Sequence, residues 1–154
     1  MLRTLVAHRD AFPLSAPFRI SRGVKTVADV VTVEISAEGA TGRGEGVPYP
    51  RYGESVDGAL AAIEAARGAI EGGATREELQ GAMAAGAARN AVDCALWDLE
   101  AKLAGRSVTE RLGRPAIAPT PTAITVGLDT PSAMAEAAAA LADVPLIKVK
   151  VDRS

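Results

Sequence analysis

Two lysines two residues apart, Lys148 and Lys150, interrupt an otherwise apolar run, Leu146-Ile147-Lys148-Val149-Lys150-Val151. Side chains alternate along a strand, so one face carries both ammonium groups and the other carries Ile147, Val149 and Val151. If the lysine face lines a barrel interior, the pair can do proton-transfer chemistry, because a lysine desolvated beside another cation can lose its proton near neutral pH. If the strand lies at a sheet edge, the lysines simply face water, and these six residues alone favour that plainer reading. Composition tilts the balance toward chemistry. Of 17 basic residues 13 are Arg and only four are Lys, and two of those four stand here. Arginine stays protonated in proteins, so a base at this place has to be lysine.

Other reactive side chains are scarce. The single cysteine, Cys94, has no partner for an internal disulfide or a CxxC metal site, and its helical neighbourhood of Val92 and Leu96 predicts a buried structural thiol. His8, the one histidine, falls in a predicted N-terminal strand with a surface or edge position as its default. These absences remove Ser-His-Asp and Cys-His hydrolysis from the functions this sequence can support by itself. Gly42-Arg43-Gly44-Glu45-Gly46 has the glycines of a phosphate loop, but Val47-Pro48 follows where a phosphate cradle needs a helix, so a nucleotide site is not expected. Asp93 and Asp98 are five apart and diverge on a helix, which predicts solvated or capping roles for them and for Glu100 and not a metal group. Arg22 and Arg51, both in irregular stretches, are the better candidates for recognising a carboxylate.

The elements that position these residues follow from periodicity. Leu2 to Arg9 reads as a strand, and Val30 to Ser36 alternates with Val31, Val33 and Ile35 on one face. Glu38-Gly39-Ala40 makes a turn into a glycine-rich strand, Thr41 to Val47, completing an antiparallel meander. Phe12 to Thr26, with two prolines, is expected to be a long functional loop between the first two strands, and Pro48 to Glu54 is a second irregular stretch holding both tyrosines, Tyr49 and Tyr52. Three helices follow: one from an N-cap at Ser55 to Gly72-Gly73, one opened by the capping box Thr75-Arg76-Glu77-Glu78, and one from about Ala87 to Ala104 with Val92, Leu96, Leu99 and Leu103 on a face. A short helical turn covers Ser107 to Leu112. Thr122 to Leu128 is strand-like, Thr130-Pro131 caps an Ala-rich helix to about Ala142, and the lysine strand closes a βαβ unit with two parallel strands. A two-stranded parallel sheet does not stand alone, so this unit reads as the beginning of a larger α/β structure.

Bulk properties narrow the partners. At 154 residues the chain can bury a real core, although 32 residues are Ala, which favours helix and close packing but buries little area each. Net charge is −2 with no basic run, so neither nucleic acid nor an anionic membrane is an expected partner. No segment approaches the roughly 18 to 20 apolar residues of a membrane span, and the start lacks a signal-peptide core, so a cytoplasmic location is expected.

Several separated motifs in order resemble a known family. Ala87-Ala88-Arg89-Asn90-Ala91-Val92-Asp93-Cys94-Ala95-Leu96-Trp97-Asp98-Leu99-Glu100-Ala101-Lys102, closed by Leu112-Gly113, resembles the signature helix of the mandelate racemase and muconate-lactonizing branch of the enolase superfamily. Pro48 to Ser55, Ile20-Ser21-Arg22-Gly23 and Thr75 to Gln80 look most like the L-Ala-D/L-Glu dipeptide epimerases of that branch. The resemblance implies an α+β capping domain over residues 1–115, a three-stranded meander plus a helical bundle, followed over 116–154 by the first βαβ unit of a TIM-type barrel truncated after its second strand. It implies an isomerase that removes the proton α to a carboxylate, with Lys150 as general base, Lys148 near the substrate carboxylate, and Mg²⁺ stabilising the enediolate. It also implies that Arg22 recognises the acidic side chain of a small dipeptide, that the loop of Tyr52 helps close the site, and that Thr125 lines the pocket floor.

In the same family the three acidic metal ligands come from the third, fourth and fifth barrel strands and an opposing lysine from the sixth. No metal ligand is therefore expected within this chain, and the 154 residues as given are expected to be an N-terminal fragment that epimerises nothing alone. A full-length form is compatible with homo-oligomerisation. Related reactions share the same lysine base: muconate cycloisomerisation, o-succinylbenzoate synthesis and N-acylamino-acid racemisation. A non-catalytic binding module derived from the capping domain is the alternative of another class.

Overall fold

A computed structural model describes residues 2–20 and 23–152. The chain divides into two compact units, each assembled from separate stretches: Met1–Ala11 with Asp29–Ala116, and Phe12–Ala28 with Ile117–Ser154. Three strands, β1 (Thr4–Ile20), β2 (Gly23–Ala37) and β3 (Ala40–Gly46), form one sheet in that order. Helices α1 (Val56–Glu71), α2 (Arg76–Ala82), α3 (Ala87–Leu103) and α4 (Val108–Arg111) follow, and then β4 (Ile124–Val126), α5 (Pro131–Ala139) and β5 (Ile147–Val149).

The hairpin is longer than its sequence suggests. Phe12 to Thr26, expected as an irregular loop, continues both strands, with β1 reaching Ile20 and β2 beginning at Gly23. Pro13 and Pro17 are compatible with this because β1 is an edge strand, where a missing N–H interrupts no ladder on the outer side. Phe12, Leu14, Ala16, Phe18 and Ile20 do alternate with Pro13, Ser15, Pro17 and Arg19, and the two prolines are what give the stretch the look of a loop. The arm is exposed: Phe12, Leu14, Phe18, Val24 and Val27 all remain substantially accessible.

In the first unit the meander behaves as its alternation predicts. Val31, Val33 and Ile35 are completely buried. Glu38 and Gly39 both take positive φ, +50° and +80°, which is the backbone of a two-residue type I′ turn, and Ala37 pairs with Ala40 across it. Register then sets Val31 beside Gly46, Val33 beside Gly44 and Ile35 beside Gly42. Large side chains on β2 thus stand next to a row with none.

That row receives α3. A Cβ built on Gly46, Gly44 or Gly42 would lie 2.2, 2.0 or 2.1 Å from the carbonyl oxygens of Ala87, Ala91 and Ala95 respectively. Two strand residues advance about 6.6 Å and four helical residues about 6.0 Å, so successive glycines meet successive turns of the helix. The helix comes close enough for its side chains to dress the open edge of β3. Asn90 Nδ2 donates to the Glu45 carbonyl at 2.9 Å, Asp98 Oδ2 accepts from the Arg43 N–H at 2.8 Å, and Lys102 Nζ donates to the Thr41 carbonyl at 2.7 Å. An edge whose backbone groups are occupied in this way is a poor template for another strand. Partial burial alone would raise the Asp98 carboxyl, but Lys102 and the Arg43 N–H outweigh it and hold the group below the usual carboxylate range.

Cys94 lies in the same i, i+4 row as Asn90 and Asp98, and it is exposed, contrary to the expectation of a buried thiol. Val92, Leu96 and Leu99 take the buried face, and a residue two positions from Val92 and two from Leu96 points the opposite way. Partial burial of the sulfur, followed by the charge of Asp93, pushes the Cys94 thiol up, which disfavours the nucleophilic thiolate.

Both capping boxes close. Thr75 Oγ1 accepts from the Glu78 N–H while Glu78 accepts from the Thr75 N–H, and Ser107 and Glu110 do the same for α4. The remaining core comes from Ile63 and Ile70 of α1, Leu79 and Met83 at α2, and Leu5 of β1. Among the described residues no helix is long and apolar enough to cross a membrane.

Two outcomes follow for stability. Gly44→Ala should cost about 3 kcal/mol in urea unfolding, because its methyl meets backbone that cannot move aside. Gly68→Ala, in α1 with nothing within 4 Å of the new methyl, should instead stabilise by about 0.5–1 kcal/mol. A neutral Gly44→Ala would disprove the close approach. The second outcome concerns pH. The Thr75 N–H lowers the Glu78 carboxyl, and the Ser107 hydroxyl and N–H lower that of Glu110, from an ordinary 4.5. A carboxyl lowered on folding contributes stability above its unfolded value that is lost as pH falls through the folded one. Replacing both by Gln should therefore flatten the loss of stability below about pH 4.5, read as melting temperature against pH.

Candidate active site

β4 and β5 pair in parallel with the register Ile124 to Ile147, Thr125 to Lys148 and Val126 to Val149. The pairing extends one bond at each end, with Ile124 N–H donating to the Leu146 carbonyl at 3.1 Å and Lys150 N–H donating to the Val126 carbonyl at 3.0 Å. Thr130 caps α5 by accepting from the Ala133 N–H, and Pro131 occupies the first turn, where its missing donor costs nothing. Lys148 therefore sits directly across from Thr125, and Lys150 follows on the same face by the alternation of the strand. Lys148 is exposed, whereas Thr125 and Lys150 are half-buried.

The opposite face departs from expectation. Sequence alternation predicts Ile147 and Val149 buried under the crossover helix, yet they are 37% and 47% exposed. The helix packs on β4, where Val126 is 2% exposed, and nine residues of Ala-rich helix are too short and slim to cover two strands. Within the same unit the hairpin arm reaches the end of β4: Leu128 N–H donates to the Arg19 carbonyl at 3.2 Å. Arg22 lies outside the described residues.

Tyr52 belongs to the first unit and is 76% exposed. It ends a 3-10 turn, Pro50–Tyr52, closed by Gly53 at φ +76°. Its ring stands 6.0 Å from that of Tyr49, tilted by 45°. The turn is held by a residue that sequence reasoning leaves without a role. Glu54 Oε2 accepts from the Tyr49 N–H at 3.0 Å, and Oε1 accepts from the Ala87 N–H at 2.6 Å. Helix α3 has Gly86 at its N-cap and no side-chain cap of its own, so Glu54 supplies one from 33 residues away. The Ala87 bond first and the Tyr49 bond second hold the Glu54 carboxyl below the usual range. No local pattern signals this contact, because it joins segments distant in sequence.

Among the described residues no three His, Cys, Asp or Glu side chains cluster to hold a metal ion. A cavity of the first unit, about 430 Å³, is lined by Arg76, Gln80, Arg89, Asn90 and Asp93 among others. Its arginines are already engaged, Arg76 by Glu100 and by the Trp97 ring 3.5 Å away, and Arg89 by the carbonyls of Gln80 and Met83. Among the described residues, the Lys-x-Lys strand and the Tyr52 turn carry the site residues expected from the sequence.

Comparison with known proteins gives these arrangements a context. The N-terminal domain of mandelate racemase / muconate lactonizing enzyme matches residues 2–113. L-Ala-D/L-Glu epimerase of Escherichia coli is 46% identical over 153 residues, which are 98% of this chain and 48% of that protein. A solved enolase-family member from Agrobacterium tumefaciens, described as homologous to dipeptide epimerases and holding sodium and L-Ala-L-Glu, superposes with a TM-score of 0.93 at 52% identity, over 97% of this chain and 46% of its own. A dipeptide epimerase from Enterococcus faecalis, complexed with Mg and L-Leu-L-Tyr, gives 0.85 at 30% identity, over 99% and 46%. The chain spans about half the length of the relatives it matches. The signature helix, the meander it closes and the parallel lysine strand together place this chain in the mandelate racemase / muconate lactonizing enzyme family of the enolase superfamily.

Proposed function

We propose that this chain is the N-terminal part of a dipeptide epimerase of the L-Ala-D/L-Glu type, in which Lys150 removes the proton α to a carboxylate. The observation that carries the reading is the parallel register that sets Lys148 across from Thr125, with Lys150 next on the same face. In α/β barrels, chemistry gathers where side chains from successive strands meet at one end, and two neighbouring strands here contribute three polar groups to one face. Identity of 46% to an L-Ala-D/L-Glu epimerase supports the substrate class.

In this reading neutral Lys150 Nζ takes the α proton of the dipeptide, the C–H electron pair moves into the carboxylate to give an enediolate, and a proton returns to the opposite face from a second base. Lys148 stands near the substrate carboxylate and offsets its growing charge. Arg22 pairs with the acidic side chain, Tyr52 helps close the site, and Thr125 lines its floor. The domain division falls at about residue 115. The described residues do not form a metal cage, so no step is assigned to a metal here. The Mg present in the Enterococcus relative supports a magnesium requirement for the whole protein, with ligands and second base supplied from outside these residues.

The test is α-proton exchange with deuterium on L-Ala-L-Glu in the whole protein carrying this chain. Lys150→Ala should reduce exchange by about 10²–10⁴-fold, the usual worth of a positioned general base, and chelation of divalent metal should abolish it until Mg²⁺ is restored. Unchanged exchange in Lys150→Ala removes the lysine from its role. Turnover confined to muconate or succinylbenzoate precursors would refute the substrate.

A further inference from the structure

We propose that Glu54 is a positioning residue that sets the place of Tyr52, so that the carboxylate fixing the start of α3 also tunes affinity for the dipeptide; this rests on the epimerase reading above. Glu54 spends its two oxygens on two different segments, Oε2 on the Tyr49 N–H that opens the tyrosine turn and Oε1 on the Ala87 N–H that opens α3. Between Tyr49 and Glu54 the backbone is closed by its own bonds, Tyr52 N–H to the Tyr49 carbonyl at 2.8 Å and Gly53 N–H to the Pro50 carbonyl at 3.0 Å. Tyr52 itself is exposed, and its ring stands beside that of Tyr49. Glu54 therefore ties the turn directly to the start of α3, in addition to the chain connections through buried Pro48 and through Ser55, the N-cap of α1. Since α3 is the most firmly seated element of the unit, locked against three glycines of β3, the turn inherits a fixed reference.

The chemistry of the latch is specific. Both partners are N–H donors, so the side chain between them has to accept twice. A carboxylate does so on separate oxygens, whereas Gln presents one oxygen and one NH₂ and meets a donor with a donor. Gly86 leaves the room: a Cβ there would lie 2.5 Å from Glu54 Oε1. Gly86→Ala crowds the same latch without altering Tyr52 or Glu54, and at its φ of +156° it also strains the backbone at the start of α3.

The experiment is steady-state epimerisation of L-Ala-L-Glu by the whole protein, with Glu54→Gln, Gly86→Ala, Tyr52→Ala and the two double variants with Tyr52→Ala. Glu54→Gln and Gly86→Ala should each raise KM about tenfold, the worth of one charge-assisted hydrogen bond, with kcat held within about twofold because the lysine base is untouched. In the Tyr52→Ala background both should change KM by less than about twofold, since the ring they position is gone. Thr75→Ala, which removes the cap of α2 and lowers stability away from the turn, should leave KM unchanged. Additive effects with Tyr52→Ala, or an unchanged KM in Glu54→Gln, would overturn the assignment. If the unmodified protein does not epimerise the dipeptide, the functional reading fails instead, and amide exchange at Tyr52 and Gly53 then judges the latch alone: protection retained in Glu54→Gln overturns it.

Discussion

The contact on which the first unit depends is between two backbones. The glycines of β3 bring the carbonyls of Ala87, Ala91 and Ala95 to within a distance that excludes any β carbon on the strand. Interiors are packed to the density of molecular crystals, and a helix this close to a sheet leaves no slack to absorb a methyl group. The alanines of α3 are the other half of the fit. Ala91 and Ala95 are completely buried, which their small side chains permit at such an approach. The large side chains needed to fill the core come instead from β2 and from the flanks of α3, as Val31, Val33, Ile35, Val92, Leu96 and Leu99. Close contact in one row and bulk in the next keep the helix in a single register.

Two consequences follow from that seating. Side chains one row over on α3 reach the free edge of β3, so Asn90, Asp98 and Lys102 complete a sheet that would otherwise present open hydrogen-bonding groups. The N-terminus of α3 also arrives where Glu54 can cap it, and Glu54 in turn carries the tyrosine turn. The seating of α3 on β3 and the tyrosine turn are thus joined by the two hydrogen bonds that Glu54 accepts.

Much of this was legible in the sequence, and the misses have identifiable causes. Local chemistry was readable: the capping boxes at Thr75 and Ser107, the Ser55 cap and the Thr130-Pro131 start of α5 all depend on neighbours a few residues apart, and the parallel pairing of the lysine strand follows from the strand-helix-strand order. The hairpin arm reads as a loop because Pro13 and Pro17 mask the alternation of Phe12, Leu14, Ala16 and Phe18, and proline resembles a loop residue unless the strand is known to be an edge. Cys94 was assigned to the core because apolar neighbours at ±2 in a helix point away from it, not toward it. Glu54 left no local signal, since its partner Ala87 is brought near only by the fold. The glycines of β3 gave no local sign that they admit a helix, because the carbonyls of Ala87, Ala91 and Ala95 reach them only in the fold.

The lysine strand shows why the same pattern can mean two things. Alternation dictates only that Lys148 and Lys150 share a face; whether that face matters depends on what stands beside it. Pairing with β4 answers part of the question, because it puts Thr125 at the shoulder of Lys148 and makes the strand parallel, a geometry that water on one side does not require. An antiparallel edge strand with lysines facing solvent could be joined by a short hairpin. This strand instead uses a capped helix to return in the same direction, as a parallel pair requires. The shared face of Lys148 and Lys150 is therefore best understood through the connection that produced it.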